Sequence, residues 1–212
     1  MSTGIPEPKT KNAMAFFDGQ NLFRHAKDAF GHYHPNYDPI KLHKAVCAAK
    51  GWRPTLTRFY TGVPGRAEDP MWAAYWSNRV LAMKRVGVHV TTRPLRYRKQ
   101  SVTGPDGVEH EVITAQEKGI DVRLALDLVS LARKKQFDVA VVFSQDQDLQ
   151  EVVQEIAEIS AEQKRWIKVA CAFPSSLTAT YDRGIDKTDW FEMDQTFYDK
   201  CLDPRDYRPA PK

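Results

Sequence analysis

The chain predicts an α/β fold built on a mostly parallel sheet. Three observations predict it. Short apolar runs such as Ala13-Met14-Ala15-Phe16-Phe17 and Val139–Phe143 have the length and bounding residues of buried strands. Amphipathic stretches of helical spacing lie between such runs. Strand and helix signals alternate along the chain, the pattern of βα units rather than of an all-β sandwich or a helical bundle.

Residues 1–12 are polar and rich in proline and lysine, and read as a disordered lead-in. The first strand, Ala13 to Phe17, stops at Asp18-Gly19. A helix from Asn21 to Phe30 is closed by Gly31, a loop rich in proline and turn residues runs to Pro39, and a second helix, Ile40 to Lys50, is closed by Gly51. Thr55–Thr61 alternates as a strand. Pro70 to Val86 carries Trp72, Tyr75, Trp76, Val80, Leu81 and Met83 at helical spacing, and Val88 to Thr92 is strand-like. Residues 93–113 read as a basic β-hairpin turning at Thr103-Gly104-Pro105-Asp106-Gly107. Then come a helix, Gly119 to Gln136, a strand, Val139 to Phe143, a helix, Leu149 to Ile159, and a last strand, Ile167 to Phe173. The tail from Thr188 is expected to pack along the body and then fray. One domain over residues 13–200, with 201–212 as a tail, accounts for a chain of 212 residues.

Hydrophobic residues at 42% and charged residues at 27% are ordinary globular usage, which excludes a disordered or fibrous chain. The net charge of +4 permits a polyanionic partner without demanding one. Cys47, Cys171 and Cys201 are far apart and odd in number, so neither a disulfide framework nor a zinc ribbon is supported, and a reducing cytoplasmic setting is expected. The N-terminus shows no secretory signal, and no apolar run reaches the ~18 residues of a membrane span.

Ligands of parallel α/β sheets sit outside the carboxyl ends of the strands. Two apolar strands end there in acidic turns: Phe17-Asp18-Gly19-Gln20-Asn21, and Phe143-Ser144-Gln145-Asp146-Gln147-Asp148. Helix capping accounts readily for one such aspartate and less comfortably for Asp18, Asp146 and Asp148 together. A third acid follows from helical spacing. Leu124, Ala125, Leu128, Leu131 and Ala132 form one stripe at about 100° per residue, and Asp121 falls within it. A carboxylate on a buried face is costly unless it is paired or bound to metal. Asp127 falls with Arg123, Ser130 and Lys134 on the opposite side, as a surface i,i+4 partner of Arg123. Clustered carboxylates repel unless a cation neutralises them, and hard cations such as Mg²⁺ take oxygen ligands. Asn21 is suited to donating to a phosphate or orienting water, and Lys118 to neutralising phosphate charge.

These motifs resemble the NYN family of PIN-like nucleases. The resemblance rests on Phe17-Asp18-Gly19-Gln20-Asn21-Leu22, on Lys118-Gly119-Ile120-Asp121-Val122 leading into Leu126-Asp127-Leu128, and on Val142-Phe143-Ser144-Gln145-Asp146-Gln147-Asp148-Leu149. The three stand in the family's order and spacing over roughly residues 13–173. The resemblance implies a PIN-like, Rossmannoid three-layer α/β/α sandwich with a central mostly parallel sheet. It implies Mg²⁺ or Mn²⁺ held by Asp18, Asp121, Asp146 and Asp148, and hydrolysis of RNA by a metal-activated water. The family motif also has an acid at the position of Asp127. One departure is Gln145, where the family often has glycine. Tails like Asp182-Arg183-Gly184-Ile185-Asp186-Lys187-Thr188-Asp189-Trp190 occur in bacterial members, which suggests a bacterial source, and the family's habit of pairing allows a homodimer.

Arg93, Arg96, Arg98 and Lys99 surround Tyr97, a mixture suited to single-stranded RNA through phosphate contact and base stacking. The same charges also suit a solvated edge hairpin that resists pairing. Trp72 and Trp76, four apart on one helix, read as core. His32 and His34 read as surface histidines, and Tyr181 and Arg183 as minor RNA contacts. Against a nuclease stands an RNA-binding scaffold of the same fold that does not cut. A haloacid-dehalogenase-type phosphatase needs a second aspartate two residues after the first, where this chain has Gln20. A receiver domain needs paired acids at the first strand, and these too are missing.

Overall fold

The computed structural model describes residues 5–103 and 109–209. Among the described residues, eight strands and six helices follow in the order β1 (Asn12–Asp18), α1 (Gly19–Phe30), α2 (Pro39–Lys50), β2 (Arg53–Val63), α3 (Pro70–Arg85), β3 (His89–Pro94), β4 (Arg96–Thr103), β5 (Glu109–Gln116), α4 (Ile120–Arg133), β6 (Val139–Phe143), α5 (Gln150–Glu162), β7 (Lys168–Pro174), β8 (Asp189–Met193) and α6 (Gln195–Asp199). A 3₁₀ turn, Gln147–Leu149, leads into α5. Six strands form one sheet in the order β3-β2-β1-β6-β7-β8, and every neighbouring pair in it is parallel.

Alternation along the strands divides the core in two. Ala13, Ala15, Phe17, Phe59, Val141 and Phe143 point to one face, where they meet Leu22 and Ala26 of α1, Leu42 and Val46 of α2 and Trp76 of α3. Met14, Phe16, Tyr60, Ala140 and Val142 point to the other, under Leu124, Leu128 and Ala132 of α4 and Ile156 and Ile159 of α5. Helices therefore cover both faces, and strands buried on both faces read as unbroken apolar runs, as β1 and β6 do. The result is the expected three-layer α/β/α sandwich of PIN-like type. At the centre, Phe17 of β1 stacks on Phe143 of β6 with ring centroids 3.9 Å apart. Cutting Phe17 back to alanine there would cost about 3–5 kcal/mol.

Caps fix the helix ends. Asp38 and Asp69 accept backbone N–H groups at the starts of α2 and α3, each followed by proline at a first-turn position. Gly31 and Gly51 close α1 and α2 in the left-handed region, at φ 74° and 69°, where a side chain would be strained.

Several boundaries differ from the sequence expectation. The hairpin runs over β4 and β5, so Arg93 belongs to β3 of the main sheet; residues 104–107 of the expected turn lie outside the described residues. The tail contributes a strand, β8, beside β7, which its sequence did not announce: Asp189-Trp190-Phe191-Glu192-Met193 has no β-branched residue and lies at the sheet edge. Beyond residue 200, Tyr207 is buried and packs edge-on against Tyr75 with centroids 6.0 Å apart. Among the described residues no helix is long and apolar enough to cross a membrane.

Candidate active site

From β1 the chain builds the sheet outward through β2 and β3, then returns to β6 on the other side of β1. The reversal leaves a crevice between the carboxyl ends of β1 and β6, the place where open α/β sheets bind ligands. Both acidic turns open into it.

Asp18 ends β1 and is 8% exposed. Its carboxylate accepts the backbone N–H of Asn21 at 3.1 Å, capping α1, and the Ser144 hydroxyl at 3.3 Å. The Asn21 side-chain oxygen in turn accepts the backbone N–H of Gln145 at 2.8 Å, so the starts of the two turns are tied together. Ser144 Oγ also accepts the N–H of Asp146 at 3.2 Å, and Asp146 caps the following 3₁₀ turn by accepting the N–H of Asp148 at 3.0 Å. Capping and clustering are thus both served by the same aspartates.

Asp18, Asn21, Asp121 and Asp146 line one cleft of about 160 Å³ with Gln20, Arg24, Ile120 and Glu117. Asp121 is exposed rather than buried: it lies in the first turn of α4, where that side of the helix lines the cleft. Glu117, just before Gly119 and α4, is an acid that sequence reasoning missed. It lies outside the apolar periodicity of α4, and only the fold of the β4–β5 hairpin brings it to the cleft. It packs against Gly62 of β2, where a Cβ atom would stand 3.2 Å from the Glu117 carboxyl carbon. Ser144 was likewise visible only as part of a motif.

Electrostatics mark the same spot. Burial pushes the Asp18 carboxyl up to about 6, with the charges of Asp146 and Asp121 adding to the effect against its hydrogen bonds. Burial, then the charge of Asp18, pushes Glu117 up to about 7. One carboxylate oxygen of Glu117 is buried with no hydrogen-bond partner. Such a group is expensive to leave alone.

Among the described residues no three acidic, histidine or cysteine side chains are already drawn to one point as a formed metal site. The donor chemistry nonetheless fits Mg²⁺ or Mn²⁺: every candidate donor is a carboxylate oxygen, and Mg²⁺ usually takes only one or two carboxylates, with water and phosphate completing its shell.

Other expected residues fall elsewhere. Asp148 is exposed on the 3₁₀ turn and Lys118 is exposed on the loop before α4; neither lines the cleft. Asp127 is not a surface residue. It is 6% exposed, and it binds Arg58 and the Tyr60 hydroxyl of β2, both at 2.8 Å, besides the expected Arg123 at 2.6 Å. It stands at the border of the α4 stripe, and the partners that allow its burial come from a distant strand, invisible to a helical wheel. Burial opposes its ionisation, but Tyr60, Arg58 and Arg123 outweigh burial and hold the carboxyl below its usual value. Arg183 is engaged with Asp186 at 2.6 Å. Gln145 is buried, and its side-chain amide donates to the carbonyls of Tyr181 and Arg183 at 3.2 and 3.0 Å, so the residue that departs from the family's glycine pins the 181–184 segment behind the cleft. On the hairpin, Arg96 and Arg98 are exposed, Lys99 pairs with Glu111 at 3.0 Å, and Tyr97 is half-buried. His34 is exposed, whereas His32 is half-buried against Asp199.

The family model described as "NYN domain" matches residues 12–180. The chain belongs to the NYN-domain family. NYN domains have a PIN-like, nuclease-type fold and act on nucleic acids, typically with divalent metals. The match spans both acidic turns, Glu117 and α4. A crystal structure of a protein of unknown function from Vibrio parahaemolyticus is similar in fold, with a TM-score of 0.50 at 15% identity over 91% of this chain and 98% of that one. Ribokinase from Giardia lamblia shows a weaker likeness, with a TM-score of 0.37 at 12% identity over 82% of this chain and 54% of that one. No curated protein matches the chain.

Proposed function

We propose that this protein is a metal-dependent ribonuclease that cuts RNA internally. The observation that carries the reading is the meeting of carboxylates from three separate segments in one cleft at the sheet's reversal point: Asp18 from β1, Glu117 and Asp121 from either side of the start of α4, and Asp146 after β6. Capping requires no such meeting.

Asp18, Asp121 and Asp146, with Glu117, would hold the cation. When bound, a divalent cation supplies an activated water and offsets the charge on the leaving oxygen in phosphodiester hydrolysis. Asp18 is fixed by Asn21 and Ser144 before substrate arrives, so its carboxylate is oriented at no further entropic cost. The Asn21 oxygen is engaged by Gln145, which leaves its amide N–H groups for a phosphate or a water. Arg24, exposed at the cleft wall, offsets phosphate charge. Arg93, Arg96, Arg98, Lys99 and Lys118 give the approach a positive field, and Tyr97 offers a ring for a base. Asp148, one step outside the cleft, acts through the field it adds beside Asp146. Water adds to phosphorus, the bond to one ribose oxygen breaks, and a phosphate monoester and a free hydroxyl remain.

The test is incubation of labelled single-stranded RNA with Mn²⁺ or Mg²⁺, beside a chelator control and the Asp146→Asn variant. Cleavage that needs the cation and disappears in the variant is the expected result. RNA that is bound but left intact with either cation would move the protein to a non-cutting RNA-binding module.

A further inference from the structure

Beside the acidic cleft lies a second cavity of about 370 Å³, and the two share Gln20 and Arg24. Its walls are one face of α1 and one face of α3. On α1, Gln20, Phe23, Arg24 and Lys27 fall within about 100° of each other at helical spacing. On α3, Trp72 and Trp76 stand one turn apart and face it together. Both tryptophans also line a further cavity of about 710 Å³ that reaches Leu95 and Tyr97. A single groove therefore runs from the carboxylates, past Arg24, over two indoles, to the basic hairpin.

Both tryptophans take part in the core, as their spacing predicts, and both also line the cavity. Trp76 is buried on its inner side against Phe59, but Trp72 is half-buried. Trp190 gives its indole N–H to the Ile185 carbonyl at 2.8 Å, whereas neither Trp72 nor Trp76 has an acceptor for its indole N–H among the described residues. A tryptophan that faces a cavity with its N–H free presents a π surface and a donor, the two things an unpaired base uses. Arg24 and Lys27 flank the indoles, are exposed, and make no ion pair among the described residues. Aromatic rings between free cations, continuous with a phosphodiester-cutting cleft, suit a single strand of RNA better than an apolar ligand.

We infer that the cavity between α1 and α3 is a nucleobase subsite, in which Trp72 stacks on an unpaired base next to the scissile phosphate while Arg24 and Lys27 hold the adjoining backbone. The inference rests on the reading of the protein as an RNA-cutting enzyme and deepens it. It makes the enzyme selective for single strands, because a base held in a duplex stack cannot enter.

The experiment measures binding of a short oligouridylate in chelator, where nothing is cut, by quenching of tryptophan fluorescence, and separately kcat and KM for cleavage in Mn²⁺. Wild type is expected to bind the single strand, with quenching, in preference to a duplex of the same sequence. Trp72→Ala is expected to bind about ten- to a hundredfold more weakly and to raise KM more than it lowers kcat. Trp72→Phe keeps a ring and is expected to keep most of the affinity. Lys27→Ala, on an exposed position that cannot disturb the core, is expected to flatten the salt dependence by about 0.7 in logarithmic slope. Unchanged affinity, quenching and KM in Trp72→Ala, with wild type cutting normally, would overturn the subsite alone. Wild type that neither binds nor cuts RNA would overturn the subsite together with the function it rests on.

Discussion

The side-chain oxygen of Asn21 accepts the backbone N–H of Gln145 at 2.8 Å, across 124 residues of sequence. This bond links the turn after β1 to the turn after β6 and so sets the spacing of Asp18 and Asp146. Replacing Asn21 with alanine leaves the Gln145 N–H without its acceptor. Stability is expected to fall by about 1–2 kcal/mol in urea unfolding. Cleavage is expected to fall further than that loss explains, since the two aspartates are no longer held in register. Full activity in a folded Asn21→Ala protein would separate the bond from the site.

Asp18 is held in a place that disfavours its own charge. Its folded value of about 6 lies above the ordinary aspartate value of 3.8, so folding stability rises as pH falls from 6 toward 4 and is reduced above 6. Asp18→Asn keeps the cap on α1 and removes the charge. In chelator at pH 7.5 the variant is expected to be more stable than wild type by about 1–3 kcal/mol, with the difference closing by about pH 4. Thermal melts across that range check it. The same variant is expected to lose cleavage.

His43 works in the other direction. Burial pushes it down to about 4, against a bond to the Ala13 carbonyl, and it also pairs with the Thr57 hydroxyl at 2.9 Å. A histidine that is neutral in the folded state gives stability that is complete above about 6.5 and is lost as pH falls toward 4. The full effect is about 3 kcal/mol. His43→Gln is expected to remove this acid-sensitive component, seen as a flatter denaturation midpoint between pH 7 and pH 4.5.

Asp127 distinguishes a structural acid from a catalytic one. Its carboxylate neutralises Arg58 inside the α4–sheet interface, and Asp127→Asn strands that guanidinium. A loss of about 3 kcal/mol is expected, with cleavage per folded molecule little changed. An inactive variant of undiminished stability would return Asp127 to the site.

Much of this was legible in the sequence. The apolar runs of β1 and β6 are buried on both faces and leave no doubt about their type, and the turns that end them carry Asp18 and Asp146 at the place the fold reserves for ligands. What the sequence hid depends on contacts between distant segments. Asp127 is buried because Arg58 and Tyr60 arrive from β2. Asp121 is exposed because the first turn of α4 lines the cleft rather than the core. Glu117 carries no local signal and is brought in by a hairpin. Trp72 has the spacing of a core residue and packs against the core, yet its other side lines a groove that only the meeting of α1 and α3 creates. Periodicity reports which side of an element is apolar and is silent on what faces that side.

The central claim is that the acidic cleft cuts RNA internally, and a circular single-stranded RNA tests it most directly, because a circle has no end for an exonuclease to begin on. With Mn²⁺ or Mg²⁺, wild type is predicted to open the circle into linear fragments. Chelator and Asp146→Asn are predicted to leave it closed, and Glu117→Gln to slow the opening. A circle that stays closed with wild type and either cation, while a gel shift shows it bound, would contradict the account.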